Sequence, residues 1–320
     1  MQSALSQTTI QKPRYLVDVI EGFLYNLENV RHLSPHTIFH YGHDLTLFMR
    51  YISSQTKSTV NELSLADITT EMIDGFLVNM KEERNNSERS IKRRLSTLRS
   101  FCTYTWDLEV KDNPALAVPL PSISEKLPDP LSKGDVLALL RAARAHAPNP
   151  ARDYAILQLF LYCGARLSEV LQLTVTDVLF ADGCIRLGRN TTRDREILLP
   201  SETIHSLFAY LMKRPDVEPR ALFLNRYKKP ITKGAIYHSL ARSISAGGLR
   251  NLNINVDILR HTCFTKMARE GFSPAEIMMY SGLHRIHTPK LYTKLAQKLF
   301  LQEQEWRKNN PIDQEKATDS

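Results

Sequence analysis

Four short segments in the second half of the sequence together carry arginine, histidine and tyrosine, and three of them also contain a glycine. They are Gly-Ala-Arg-Leu-Ser-Glu at 164–169, the arginine-rich stretch 188–195, Asp-Ile-Leu-Arg-His-Thr at 257–262, and residues 281–293. A guanidinium group binds a phosphate or a carboxylate through two parallel hydrogen bonds. Side chains of these types therefore point to a site for an anion.

The formal charge supports an anionic partner. The chain has 42 Lys and Arg against 34 Asp and Glu, which gives a net charge of +8 and an isoelectric point near 9.3. Residues 1–120 carry 13 basic and 14 acidic side chains, whereas residues 121–320 carry 29 and 20. A basic half of this size indicates a polyanion such as nucleic acid. Ordinary solubility charge is the alternative.

Common nucleotide, metal and hydrolase motifs are missing from the 320 residues. The sequence has no G-x-G-x-x-G, G-x-x-x-x-G-K-[ST], H-E-x-x-H or G-x-S-x-G pattern, and no acidic cluster typical of a two-metal nuclease. Its four cysteines form no C-x-x-C pair. We interpret them as small core residues in a reducing compartment, and we expect no metal site.

The first half of the chain shows helical periodicity. Apolar residues recur at helical spacing between residues 14 and 56, and further helices are predicted at 70–83 and 88–107. Ser34 followed by Pro35 predicts a helix start. The helix predicted at 88–107 carries a stripe of basic residues along one face, and this face is exposed either to solvent alone or to the phosphates of a nucleic acid. The stripe comprises Arg89, Lys92, Arg93, Arg94 and Arg99.

The pattern predicts a mainly α protein with a small antiparallel β-sheet, divided into two domains. Four prolines within residues 118–130 indicate a semi-rigid linker. We therefore expect a disordered N-terminus at 1–12, a helical domain at 13–117, the linker at 118–130, a second domain at 131–307 and a flexible tail at 308–320. Within the second domain, a hairpin is predicted from strands at 184–187 and 196–199.

Membrane and secreted proteins are disfavoured. The longest nearly apolar run, residues 154–162, is shorter than the roughly 20 residues needed to span a bilayer. The N-terminal residues have no apolar stretch of the kind found in a signal peptide. The sequence predicts a cytoplasmic location.

Taken in order, these segments resemble the tyrosine recombinase (phage integrase) family, including its Xer-type members. Residues 164–169 are similar to the family's G-x-R-x-S-E box, residues 259–262 to its L-R-H-[ST] box, and residues 288–292 to its nucleophile segment. In the first half, residues 33–37 resemble the start of the family's core-binding domain, and residues 91–101 and 113–114 resemble its end. The resemblance covers nearly the whole chain.

The resemblance implies an enzyme that cuts and rejoins DNA through a 3′-phosphotyrosyl link, without a metal or another cofactor. It implies Tyr292 as the nucleophile and Arg166 and Arg260 as the clamp on the phosphate, with Glu169 supporting Arg166. The predicted fold is then a helical core-binding domain joined to a tyrosine-recombinase catalytic domain.

Three family positions depart from the pattern. No lysine lies between residues 133 and 213, so Arg189 or Arg193 is the nearest counterpart of the family's hairpin lysine, and arginine is a much poorer acid. Asp257 stands where the family has its first histidine. Leu283 stands at the later His/Trp position, where His284, one residue on, is the candidate substitute.

The expected partners follow from the resemblance. They are double-stranded DNA and further copies of the chain, as a tetramer on DNA whose C-terminal helix docks on a neighbouring subunit. No membrane is expected. The three departures keep a second reading open, in which the chain is a catalytically weakened DNA-binding subunit that acts with a second recombinase. Integration, excision and resolution of a mobile element or replicon are not distinguished.

Overall fold

The computed structural model describes residues 15–106, 113–122, 127–218 and 220–309. The chain divides into two compact units, residues 1–125 and 126–320, and this division lies inside the predicted linker. The predicted disordered N-terminus at 1–12 lies outside the described residues, as does the predicted tail beyond residue 309.

The N-terminal unit is built from helices. They are α1 (Leu16–Asn29), α2 (Pro35–Thr56), α3 (Thr70–Glu82), α4 (Glu88–Trp106) and the short α5 (Pro114–Ala117), with two 3₁₀ turns at Val60–Glu62 and Leu65–Asp67. As predicted, Ser34 caps α2, because its hydroxyl accepts a hydrogen bond from the Thr37 amide at 3.2 Å and Pro35 occupies the first helical position. The apolar faces of α1 to α4 share one core.

The first residue of the predicted linker packs in the N-terminal unit. Val118 is 3% exposed and belongs to the core of the N-terminal unit, where it follows directly on α5. Leu127, near the other end, packs against a cluster of the C-terminal unit. The ends of the proline-rich segment are thus held by the two cores.

The C-terminal unit is also mainly helical, with one small sheet. Its elements are α6 (Lys133–His146), α7 (Pro150–Tyr162), α8 (Leu167–Gln172), β1 (Val178–Leu179), β2 (Cys184–Leu187), β3 (Arg195–Leu198), α9 (Ser201–Leu211), α10 (Lys233–Ala246), α11 (Val256–Arg269), α12 (Pro274–Ser281) and α13 (His287–Asn309). The predicted fold class agrees with this architecture.

The sheet has the order β1-β2-β3, and both pairs are antiparallel. The predicted hairpin forms β2 and β3, with Leu187 opposite Arg195 and Cys184 opposite Leu198. Strand β1 was not predicted, because two residues are too few to show an alternating pattern. Arg195, the first residue of β3, donates hydrogen bonds to Glu169 in the first turn of α8.

Helix α7 lies at the centre of the C-terminal unit. Nearly all of its residues are buried, and it packs against α6, α9 and α11. This burial accounts for the apolar run at 154–162, which a water-exposed helix would not tolerate. In the part of the chain that the structure describes, no helix combines the length and apolar character required to cross a bilayer.

Candidate active site

Arg166 is placed by a sharp turn between α7 and α8. Gly164 has φ +55°, and a Cβ there would lie 2.4 Å from the Phe264 ring, so both its backbone and its surroundings require glycine. The turn sets Arg166 at the N-cap of α8, with its side chain half-buried. The segment 164–169 therefore fixes the position of the Arg166 guanidinium group.

A buried carboxylate holds two guanidinium groups. Glu169 is 6% exposed and accepts hydrogen bonds from the Arg166 amide (2.7 Å), Arg166 Nη1 (2.9 Å), Arg195 Nη1 (2.8 Å) and Arg195 Nη2 (3.2 Å). Burial by itself raises the pKa of Glu169, but the hydrogen bonds and charge of Arg195, together with Arg166, hold that pKa below its ordinary value. The supporting role predicted for Glu169 thus extends to Arg195.

Arg260 lies on α11 and reaches the same region from the other side. Its Nη1 donates to the Gly164 carbonyl and its Nη2 to the Ser281 carbonyl at 2.7 Å, while its guanidinium carbon lies 4.6 Å from the centre of the Phe264 ring. Burial, and then the nearby charge of Arg166, lower the pKa of Arg260 to about 10. Two like charges are thus held close together in a region of low exposure.

The loop after α12 joins these groups. Arg166 Nη2 donates to the Gly282 carbonyl at 3.1 Å. Gly282 follows directly on Ser281, whose carbonyl accepts from Arg260. Gly282 has φ +61°, and a Cβ there would lie 3.0 Å from Arg195 Nη1 and 3.4 Å from Arg166 Nη1. The glycine lets the backbone approach both guanidinium groups.

Tyr292 lies beside this cationic group on α13. The side chain is 2% exposed, and its ring packs between His261 and Phe264, with centroids 5.6 and 5.5 Å away. The Tyr292 Oη lies 2.6 Å from His261 Nδ1. Burial raises the pKa of Tyr292 well above its ordinary value, whereas the charges of Arg260 and Arg166 act to lower it.

The other predicted catalytic residues lie at the surface. Arg193 is exposed at the hairpin tip, and its charge acts on Arg166. His284 is exposed and lies 3.2 Å, Nε2 to Oγ1, from Thr192 of the same tip. Asp257 is exposed in the first turn of α11, and its charge acts to raise the pKa of Tyr292.

Arg189, predicted to contact DNA, is half-exposed and pairs with Asp177 at 3.0 Å. Among the described residues, no group of three or more His, Cys, Asp or Glu side chains is placed to hold a metal ion. The charges of Arg260 and Arg166, which act on Tyr292, are suited to neutralising an anion.

The basic stripe of α4 is not uniformly exposed. Arg89 and Lys92 face solvent, whereas Arg94 is 8% exposed and donates to buried Asp44 at 2.6 Å. Arg93 also pairs with Asp44, through Nη2 at 2.9 Å, and keeps 41% of its side chain exposed. The placement of Arg94 on the open face was wrong, because it lies on the buried side three residues after Ile91.

Arg99 also has partners within the chain. Its Nε donates to the Ala115 carbonyl at 3.0 Å and its Nη2 to the Val118 carbonyl at 2.6 Å. These bonds attach α5 and the start of the proline-rich segment to α4. The two ends of the stripe therefore differ, since one is open to solvent and the other holds the backbone.

The structure brings Arg166, Arg260 and Tyr292 together, and it adds two residues that were not among the predicted site residues. Arg195 had a detectable signal, because it shares one face of β3 with the buried Ile197 by the two-residue period of a strand. His261 lies in the L-R-H-[ST] box, but its contact with Tyr292 could not be predicted, because only the packing of α13 on α11 brings the two residues together.

Two family models match the chain. The phage integrase family matches residues 130–298, and the phage integrase N-terminal SAM-like domain matches residues 20–107. These matches correspond to the two compact units. The first match alone covers more than half of the chain.

Curated relatives of the chain are named as tyrosine recombinases. Tyrosine recombinase XerC of Chlamydia muridarum is 27% identical over 297 residues, covering 87% of this chain and 93% of the relative. XerC of Caldanaerobacter subterraneus subsp. tengcongensis is 27% identical over 316 residues, covering 93% and 88%.

Among solved structures, XerH bound to a palindromic difH substrate matches with a TM-score of 0.70 and 20% identity, covering 95% of this chain and 92% of that one. The Tn1549 transposon integrase with a circular intermediate DNA gives a TM-score of 0.70 at 17% identity, covering 86% and 94%. At these identities the structures establish the fold. Together with the family matches, they show that the chain belongs to the phage integrase family, the site-specific tyrosine recombinases, which cut and rejoin DNA.

Proposed function

We propose that the chain recombines double-stranded DNA at specific sites, with Tyr292 as the nucleophile that forms a 3′-phosphotyrosyl link. The observation that carries this proposal is the convergence of Arg166 and Arg260 on the adjacent carbonyls of Gly282 and Ser281, with their charges acting on Tyr292. A phosphate entering this group would replace backbone carbonyls as the partner of both guanidinium groups.

Arg166 and Arg260 have the chemistry that phosphoryl transfer requires. Negative charge builds up on the non-bridging oxygens as the tyrosyl oxygen attacks, and fixed cations in a partly buried site stabilise that charge without reorganising. Glu169 carries one negative charge among the three arginines 166, 195 and 260, so the group keeps a net positive charge. The link conserves the energy of the broken bond, so strand exchange needs no nucleotide cofactor.

The hairpin and the neighbouring loops supply the remaining proposed roles. Arg193 and Arg189 contact DNA phosphates near the cut, and either one is the counterpart of the family's hairpin lysine. His284 stands at the hairpin tip beside Thr192 and is positioned to contact the same phosphate region. Asp257 acts on the site through its charge.

The N-terminal unit is proposed to bind the DNA backbone, and residues 13–117 and 131–307 to be the core-binding and catalytic domains. Within the predicted stripe, Arg89, Lys92 and the exposed part of Arg93 supply the phosphate contacts. Arg94 and Arg99 hold the unit together through Asp44 and the carbonyls after α4.

Assembly on DNA is proposed to involve four subunits. Helix α13 carries the exposed side chains of Phe300 and Leu301 beyond Tyr292. Docking of this helix on a neighbouring copy would couple the position of the nucleophile to assembly. A second recombinase in the tetramer is an extension of this proposal. A purely non-catalytic role is not favoured, because the relatives are named as recombinases.

Covalent trapping tests the proposal. The cognate site is first identified by sequencing DNA bound by the full chain, and a nicked duplex of that site is then incubated with the protein and resolved on denaturing gels. We expect a covalent protein–DNA band that Tyr292→Phe abolishes. Tyr237→Phe, a change of the same type at a partly exposed tyrosine of α10, serves as the control and should retain the band. A band that survives Tyr292→Phe refutes the assignment.

A further inference from the structure

The contact between His261 and Tyr292 joins two helices at the reacting atom of the proposed nucleophile. His261 Nδ1 lies 2.6 Å from Tyr292 Oη, and the two rings are tilted by 42° with centroids 5.6 Å apart. At this separation the phenol and the imidazole share one hydrogen, in a bond at the short end of the usual range. His261 follows Arg260 on α11, so the same turn of helix supplies a phosphate ligand and the neighbour of the nucleophile.

Tyr292 needs a proton acceptor more than an exposed tyrosine would. An ordinary tyrosine has a pKa near 10, so only about one in a thousand is ionised at pH 7. Burial raises the pKa of Tyr292 further, and at 2% exposure solvent has little access to the side chain. The proton that leaves Tyr292 therefore needs an acceptor within the site.

The other groups that face Tyr292 are poorly suited to accept that proton. Arg260 and Arg166 are cations without a free lone pair, and burial raises the pKa of the Cys263 thiol to about 12. The charge of Asp257 acts on Tyr292, but this carboxylate is exposed on the first turn of α11. His284 lies against Thr192 of the hairpin.

Histidine is the side chain whose ordinary pKa suits proton transfer near neutral pH. His261 is the imidazole that the structure places on the Tyr292 hydroxyl. The family's two other histidine positions, as aligned by the sequence boxes, hold Asp257 and Leu283. The contact therefore lies where proton acceptance is needed and where the family's usual groups are absent.

We infer that His261 is a catalytic base that accepts the phenolic proton of Tyr292 as Tyr292 attacks the DNA phosphate. The inference rests on the proposed role of Tyr292. In this step the O–H bond of Tyr292 breaks and its proton moves to Nδ1 of the Nε2–H tautomer, while the phenolic oxygen forms a bond to phosphorus. The bond from phosphorus to the 5′-oxygen breaks, and that oxygen takes a proton from solvent water. In the reverse reaction the imidazolium returns its proton to the tyrosyl oxygen.

Two variants separate proton acceptance from positioning. His261→Ala removes both the hydrogen bond and the base, whereas His261→Asn keeps a hydrogen-bonding group near the position of Nδ1 but cannot be protonated at neutral pH. Single-turnover cleavage of the nicked cognate duplex should fall about 10²–10⁴-fold in both, as expected for loss of general-base catalysis. Added imidazole should restore part of the rate to His261→Ala. His205→Ala, at an exposed histidine of α9, should cleave normally.

A substrate with sulfur in place of the bridging 5′-oxygen identifies which proton is moved. A thiolate leaves without protonation, so loss of an acid is corrected on this substrate and loss of the base at Tyr292 is not. We expect both His261 variants to remain slow on it, and we expect the wild-type rate to decline with falling pH as the imidazole is protonated, a decline that His261→Asn lacks.

The inference is overturned by any of three results. The first is full recovery of the cleavage rate of His261→Ala on the sulfur substrate. The second is faster cleavage by His261→Ala, which would make the contact a restraint on Tyr292. The third is unchanged cleavage by both variants. Cognate-site binding by each variant, measured in parallel, must match the wild type. Failure of the proposed function has a different signature, namely a covalent band that is absent from the wild type or that survives Tyr292→Phe.

Discussion

Replacing Glu169 by glutamine removes one negative charge from the centre of the active-site arginine group while preserving size. The carboxylate accepts four hydrogen bonds within 3.2 Å, three of them from guanidinium nitrogens of Arg166 and Arg195. Glutamine retains one oxygen that can accept a hydrogen bond, but its NH₂ group would face the N–H donors of Arg166 and Arg195. Removing one partner of a buried ion pair costs about 3–5 kcal/mol, because the remaining charges are left uncompensated. That is a large fraction of the roughly 5–15 kcal/mol typical of a folded domain.

Hydrogen-exchange mass spectrometry of the full chain in rising urea measures this effect unit by unit. Peptides from the C-terminal unit should report unfolding free energies lower by about 3–5 kcal/mol in Glu169→Gln, while peptides from the N-terminal unit provide an internal reference. Glu202→Gln is the matched control. Its carboxylate pairs with Arg144 at the surface, with side chains 52% and 59% exposed, and a glutamine oxygen can still accept the hydrogen bond of the Tyr154 hydroxyl. Loss of the charge should therefore cost less than about 1 kcal/mol. Equal effects of the two substitutions would refute the reasoning, since burial of the charge would then not matter.

Three further predictions use other features of the molecule. The pKa of Glu169 is lowered in the folded chain, so its contribution to stability is fully present above the ordinary glutamate pKa of about 4.3 and is lost as the pH falls through the lower folded-state value. Acid unfolding curves should show this loss of stability in the wild type and not in Glu169→Gln. Gly164→Ala should destabilise the C-terminal unit by about 2–5 kcal/mol, from left-handed strain and the clash with Phe264, and slow covalent trapping; unchanged urea unfolding would contradict this. Lys92→Ala should weaken DNA binding at all sequences and lower by about 1 the slope of log binding constant against log salt concentration, as binding titrations would show. Arg94→Ala should chiefly lower the urea midpoint of the N-terminal unit, as urea unfolding would show.

Local signals predicted most of the fold. The spacing of apolar residues and the Ser34–Pro35 start identified α2, because helix periodicity and helix caps depend on neighbours in sequence. The predicted hairpin at 184–199 formed for the same reason. Strand β1 escaped detection, since its two residues acquire strand geometry only by pairing with β2.

Local signals did not decide which charged side chains are exposed. Arg94 was assigned to the open stripe of α4, yet it is buried because Asp44 of α2 supplies a counter-charge 50 residues away in sequence. Its position three residues after Ile91 and four before Leu98 was a sign of the buried face. An arginine on an apolar helix face is tolerated when another element brings a carboxylate to it.

The sequence by itself determined the identities and order of the groups that define the family, namely Arg166, Arg260 and Tyr292. Only the tertiary structure decided their surroundings. It set Glu169 between Arg166 and Arg195, and it brought Tyr292 of α13 against His261 of α11. Helix periodicity and capping arise within a few residues, whereas a carboxylate shared by two arginines or a proton acceptor at 2.6 Å exists only after distant segments have packed together.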